Sequence, residues 1–259
     1  MTSARPKRLV GELSSDPARL HLHYGHGHPA VPYDFEGTLE SWYVKVTYGM
    51  AGDEEWEDEG SRAPAAGTEV GHVILWRLRD YTGDNRWEAA DAESGDLAVI
   101  ASAVLGRSGR AGYSAAFEKA VTHRVGDLLI LDRVHLDRAW RGFGLGPTLA
   151  AEAIRRLSGG CCAVAAYPDM AGYPEDREQL TEACRRQAKK KIAALWESIG
   201  FQRLGGDPAG VTLADVPEAS GPVPASRCLW RWCCTGSPTP TWLPGERAEA
   251  SGQAAQTVT

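Results

Sequence analysis

The chain has 259 residues and is 43% hydrophobic, enough to bury a sizeable core in one domain with extensions. Its net charge of −6 and pI near 5.7 provide no global basic field, so neither nucleic acid nor a membrane is expected as a partner. The longest apolar stretches, Leu128–Leu131 and Cys161–Tyr167, fall far short of the ~20 residues that span a bilayer, and Met1–Lys7 lacks an apolar leader core, so a cytoplasmic location is expected.

Residues 1–40 carry Gly, Pro and His without sustained periodicity and read as an irregular N-terminal arm. Its histidines, His21, His23, His26 and His28, lack acidic or thiol companions in a fixed element, so a solvated loop is expected and no metal site. From Ser41 to Tyr48, Trp42, Val44, Val46 and Tyr48 alternate with other residues, the pattern of a half-buried strand. The acidic run Asp53–Glu59 then forms an exposed connection, a solvated loop that would also draw a cationic acceptor, to a second strand at Glu69–Leu78. After the polar stretch Asp91–Asp96, Leu97, Ile100, Ala101 and Val104 recur at helical spacing up to Gly106, and a short helix follows at Ser114–Val121.

The strand Leu128–Leu136 begins apolar on both faces and turns polar at Asp132, Arg133 and His135, while Val134 and Leu136 stay apolar. Its far end therefore meets a site. A glycine-rich turn leads to a helix at Thr148–Leu157 that buries Leu149, Ala153, Ile154 and Leu157 and ends at Ser158-Gly159-Gly160. Cys161–Tyr167 is the next strand. A Pro, Gly and Asp-rich loop precedes a helix at about Glu175–Ile199, burying Leu180, Cys184, Ile192, Trp196 and Ile199 with Gly200 as cap. Strands at Phe201–Leu204 and Arg227–Trp232 flank a Pro/Gly-rich insert, and residues 235–259 have little to bury and read as disordered. The cysteines, Cys161, Cys162, Cys184, Cys228, Cys233 and Cys234, contain no C-x-x-C pair and are expected to be reduced.

The turn itself is Arg141-Gly142-Phe143-Gly144-Leu145-Gly146, between strand and helix. Glycines let the backbone approach a phosphate without Cβ obstruction, and the helix start offers unpaired N–H groups and the positive end of its dipole. A dinucleotide fingerprint would need glycine where Pro147 stands, and a P-loop would need Gly-Lys-Ser/Thr, so the pattern that remains is R-x-x-G-x-G.

Trp140 to Gly146 after a strand and before an amphipathic helix resembles motif A of the GNAT superfamily of N-acetyltransferases. Leu195-Trp196-Glu197-Ser198-Ile199-Gly200-Phe201 resembles the end of that superfamily's motif B, Tyr-Glu-x-x-Gly-Phe. The resemblance covers Asp127 to Leu204. It implies an α/β fold over residues 41–234, with a mixed, mostly antiparallel central sheet flanked by helices. Two strands precede the first clear helix here, whereas the family's usual order is one strand and then two helices.

The implied cofactor is acetyl-CoA, its pyrophosphate held by backbone N–H groups of Gly142, Phe143, Gly144, Leu145 and Gly146 with Arg141 beside it. The strand end at Val134–Leu136 would bond the pantetheine and polarise the thioester. The implied reaction is acetyl transfer to an amine of a small molecule or a protein. A lysine-like amine with pKa about 10.4 costs about 4.6 kcal/mol to deprotonate at pH 7, an α-amine near 7.8 about 1 kcal/mol, so a base matters most for the former. Asp132 and His135, at the strand end, are the candidate bases. Trp196 stands where many members carry a tyrosine that protonates the departing thiolate, which indole cannot do. That favours an alternative, a non-catalytic acyl-CoA-binding or interaction module. Lys189, Lys190 and Lys191 with Arg185 and Arg186 form either a solvated face or a contact to the CoA 3′-phosphate. The sequence sets no oligomeric state.

Overall fold

Runs of β-branched, aromatic and leucine residues at period two assemble into a seven-stranded mixed sheet. The computed structural model describes residues 8–28, 30–31, 34–49, 63–106, 112–169, 181–206 and 210–216, all within one compact unit, Met1–Pro222. The strands are β1 (Leu20–His26), β2 (Leu39–Tyr48), β3 (Thr68–Leu78), β4 (Asp127–Leu136), β5 (Cys161–Ala166), β6 (Gln202–Arg203) and β7 (Thr212–Asp215). Their order across the sheet is β1-β2-β3-β4-β5-β7-β6. Among the described residues β4 and β5 run parallel and every other neighbouring pair is antiparallel.

Helices cover both faces. On one lie α1 (Arg86–Glu93), α2 (Gly95–Val104) and α3 (Ala115–Ala120), where Leu97, Ile100, Val104 and Phe117 pack on Leu78, Leu128 and Ile130. On the other lie α4 (Leu145–Leu157) and α5 (Glu182–Glu197), whose Ala150, Ala153 and Trp196 pack on Val73, Leu75, Leu129 and Leu131. Each large apolar side chain so buried contributes about 1.5–3 kcal/mol. Side-chain oxygens start four of these helices: Asn85 accepts from Trp87 and Glu88 N–H, Ser94 from Leu97, Ser114 from Phe117 and Thr181 from Cys184. Against β4 and β5, α4 completes the crossover that a parallel pair requires.

Several expectations are corrected. The stretch read as an irregular arm contains β1, which pairs with β2 from Leu20 opposite Tyr48 to His26 opposite Trp42; an edge strand with one polar face suffices to explain its histidines. His26 Nδ1 lies 2.9 Å from Ser41 O, and His23 Nε2 lies 2.9 Å from Thr47 Oγ1, so they join the sheet rather than a solvated loop. Three strands, not two, precede the first α-helix among the described residues. The stretch read as polar before α2 is shared between the end of α1, the cap Ser94 and the start of α2, and the buried positions of α1 are Arg86, Ala89 and Ala90 rather than large apolar side chains. The insert after Leu204 holds β7. The acidic run 53–59, the helix start near 175, the strand at 227–232 and the tail from 235 lie outside the described residues.

Candidate functional site

The polar break that the sequence shows at Asp132 is a β-bulge. Leu131 pairs with Leu75 and Arg133 with Ile74, so Asp132 has no opposite number on β3. The extra residue reverses the facing of everything beyond it. Leu129 and Leu131 pack toward α4, and after the bulge Val134 and Leu136 do so instead of Arg133 and His135. Pairing with β5 stops at the same place, at Leu131 opposite Ala166, while pairing with β3 continues to Leu136 opposite Gly71. Residues 132–136 therefore have no described strand partner on the β5 side; Arg141 takes Leu136 O, and the edge before it is open to a ligand. Gly71 permits the close approach that holds this end, since a Cβ on it would stand 2.3 Å from His135 O.

A 3₁₀ turn at Arg138–Trp140 leads from β4 into the glycine turn. Phe143 and Leu145 are 3% and 6% exposed and are anchored among Trp140, Leu149, Val46 and Tyr48. The glycines alternate with these anchors. Gly142 and Gly144 take φ of 90° and 81°, conformations that strain any residue with a Cβ. Gly144 is the N-cap of α4 and has no side-chain cap, so the N–H groups of Leu145 and Gly146 end the helix without intrahelical acceptors. Pro147 occupies the third helical position rather than the first, where its missing N–H is again one that the helix would not use. An N-terminal segment not anticipated from sequence crosses this turn: Arg8 N–H donates to Gly142 O at 3.1 Å, and its guanidinium lies 4.4 Å above the Phe143 ring.

Arg141 faces back to the strand. Its Nε donates to Leu136 O and its Nη2 lies 3.3 Å from His135 Nε2. The His135 ring stacks on His72 at 5.2 Å between centroids, and His72 stacks on Tyr43 at 5.2 Å. Tyr43 donates to Glu69 Oε1 at 2.8 Å. Burial, reinforced by His135, holds the pKa of His72 below the ordinary histidine value against the pull of Glu69.

Asp132 opens into a small cleft lined by Asp96 and Ile100 of α2, Leu131, Asp132 and Arg133 of β4, and Tyr167 and Asp169 beyond β5. Burial raises its pKa above the usual carboxylate value. Arg133 and a hydrogen bond from Trp76 oppose that shift, and the charge of Asp96 adds to it. Lys189 donates to the Tyr167 hydroxyl, sits 4.5 Å from its ring centre and lies 3.6 Å from Asp169. This lysine is thus tied to two residues that line the cleft.

Asp132 and His135 are thus near neighbours on one strand with different surroundings: one carboxylate in a cleft, one imidazole engaged by arginine. Trp196 is 9% exposed and packs at 6.3 Å from the Phe201 ring, inside the core on the α4 side. Cys161 is buried, and burial pushes its thiol up to about 11, as befits a small core residue rather than a nucleophile. Asp96, Tyr167 and Asp169 escaped the sequence reading as site residues because they come from elements far apart in the chain, and Lys189 was read as a solvated residue or a phosphate contact.

No protein-family model matches the chain, and no curated protein matches it. Solved structures similar to it include a Tyr→Phe variant of KacT (14% identity, TM-score 0.34, 75% of this chain and 94% of that one). They also include a Tyr→Phe variant of the AtaT toxin bound to the C terminus of the antitoxin AtaR (13%, 0.33, 75% and 92%). A third is AtaT complexed with acetyl-methionyl-tRNAfMet (13%, 0.32, 75% and 95%). That last complex contains a nucleic acid, and the exclusion of nucleic acid as a partner is corrected accordingly, together with the limitation of the acceptor to a small molecule or a protein. Net charge is a sum over the whole chain, whereas association follows the local field at a site. Among the described residues no helix is long and apolar enough to cross a membrane.

Proposed function

We propose that the chain is an acetyl-CoA-dependent N-acetyltransferase. The observation that carries this reading is the coincidence, at Asp132, of a bulge and the end of β5 pairing, on a strand whose far end runs into the glycine turn. A ligand with a phosphorylated head and an extended amide-bearing arm fits that arrangement. The head suits the N–H groups of Leu145 and Gly146, and the arm suits the unpaired edge of residues 132–136. Acetyl-CoA, when bound, supplies the thioester carbon that an amine attacks.

The protein's own part is to handle protons and hold the amine. Asp132, its carboxyl pKa raised by burial, is the proton acceptor, a shift in the direction that general-base catalysis favours. Asp96 lines the same cleft and favours a cationic amine before it loses its proton, while Asp169 there is paired with Lys189. Tyr167, its oxygen accepting from Lys189, retains its own O–H to donate to the departing thiolate, the task that Trp196 cannot perform.

Release of free thiol from acetyl-CoA, measured against a panel of small amines, peptides with free N-termini, lysine peptides and aminoacyl-tRNA, tests the reading. Acceptor-dependent release that disappears in Asp132→Asn is the expected result. Tight cofactor binding without release across the panel would point instead to the non-catalytic module, whose supporting observation is the tryptophan at position 196.

A further inference from the structure

His135 stands near the end of β4, three residues past Asp132, yet its contacts suit a different task from proton removal. Arginine donates hydrogen bonds and never accepts them. With Arg141 Nη2 at 3.3 Å, His135 Nε2 must therefore carry the lone pair, and the ring proton of the neutral imidazole sits on Nδ1. A nitrogen that already accepts from a guanidinium is not free to take a substrate proton, and the other nitrogen is already protonated.

The contact has a second consequence, for Arg141. Its Nε donates to Leu136 O, so two bonds to consecutive β4 residues fix one edge of the planar guanidinium. Nη1 and the second proton of Nη2 form the opposite edge, the pair with which arginine grips phosphate bidentately. The support is itself supported. His135 is half-buried and stacked on His72, His72 on Tyr43, and Tyr43 is tied to Glu69, a chain of contacts across β4, β3 and β2.

We propose that His135 is a positioning residue for Arg141: its Nε2, with Leu136 O, holds the guanidinium so that the outer edge is free for an anion at the adjoining glycine turn. This rests on the reading that the turn takes a phosphate. Proton removal then falls to Asp132, and His135 acts on ligand affinity rather than on turnover.

Two measurements on the full chain test it. In nitrogen-15 NMR, with the His135 signal assigned by its loss in His135→Gln, Nε2 should read as unprotonated in the wild type and shift toward a tautomer mixture in Arg141→Met. In calorimetry with CoA, His135→Leu should weaken binding roughly 2- to 10-fold, the worth of one hydrogen bond, with kcat little changed. His135→Gln, whose Oε1 accepts from Arg141, should restore affinity. The proposal is overturned if His135→Leu loses turnover at unchanged affinity, which would make His135 the base. It is equally overturned if the three proteins bind CoA alike, or if the His135 signal ignores Arg141→Met. A wild type that binds no CoA while the NMR shift appears would refute the cofactor reading and the anion role, and leave the Arg141–His135 bond as a structural contact.

Discussion

From Leu128 to Leu131, β4 is bonded to strands on both sides and its four apolar side chains are at most 2% exposed; from Asp132 to Leu136 it keeps β3 alone and presents Asp132, Arg133 and His135 to a cleft or to solvent. The two halves differ by one bulged residue. In the first half the backbone pairs with both β3 and β5, and hydrophobic burial sets the energy. In the second half pairing with β5 is given up, which leaves polar groups that water satisfies in the free protein and a ligand can take over. A substitution should therefore damage stability in the first half and chemistry in the second.

The largest effect is expected at Asp132. Asp132→Asn should lower turnover about 10²- to 10⁴-fold, measured at saturating acetyl-CoA. Its stability should move the other way. A carboxyl whose folded pKa is raised contributes stability below its unfolded pKa and loses it as pH rises through the folded value, so at pH 7 the neutral Asn should melt no lower than wild type. The wild-type rate should fall as pH drops through that raised pKa, above the ordinary carboxylate range, because the base becomes protonated.

Leu129→Ala, one half-strand away and fully buried, should cost about 2–5 kcal/mol in denaturant unfolding and leave turnover per folded molecule close to wild type. Lost turnover at retained stability would remove the contrast between the halves. Gly146→Ala should have a smaller effect. Its Cβ would meet Val134 Cγ1 at 3.7 Å, an ordinary contact, so the fold should persist while CoA affinity drops by roughly tenfold through crowding at the helix start. The smallest change is expected for Trp196→Tyr. Had position 196 faced the thiolate, tyrosine would raise turnover; packed on Phe201 in the core, it should leave the rate unchanged and cost about 1–1.5 kcal/mol.

Much of this contrast was legible in the sequence. The shift of apolar parity between Leu131 and Val134 signals the bulge, and the glycines between Arg141 and Gly146 signal the turn. The missed elements had weaker signals for physical reasons. In β1, Leu20, Leu22 and Tyr24 do alternate with histidine and glycine, but an edge strand with a polar outer face resembles a loop in composition. The buried side of α1 is Arg86, Ala89 and Ala90, with Arg86 1% exposed and 2.8 Å from Asp80, so no large-residue stripe marks it. The four residues β7 contributes lie among prolines and glycines. At the site, single residues on β4 were readable because one strand carries them in order. The cleft partners Asp96, Tyr167, Asp169 and Lys189 meet through the tertiary fold, and so do Arg8 and the glycine turn.

The measurement that bears most directly on the central claim is a calorimetric titration of the wild-type chain with acetyl-CoA, with thermal melting alongside. Saturable binding and a rise in Tm are predicted, because the start of α4 offers N–H groups without intrahelical acceptors and β4 beyond Leu131 has no described partner on the β5 side. No heat and no shift in Tm at millimolar acetyl-CoA would contradict the account.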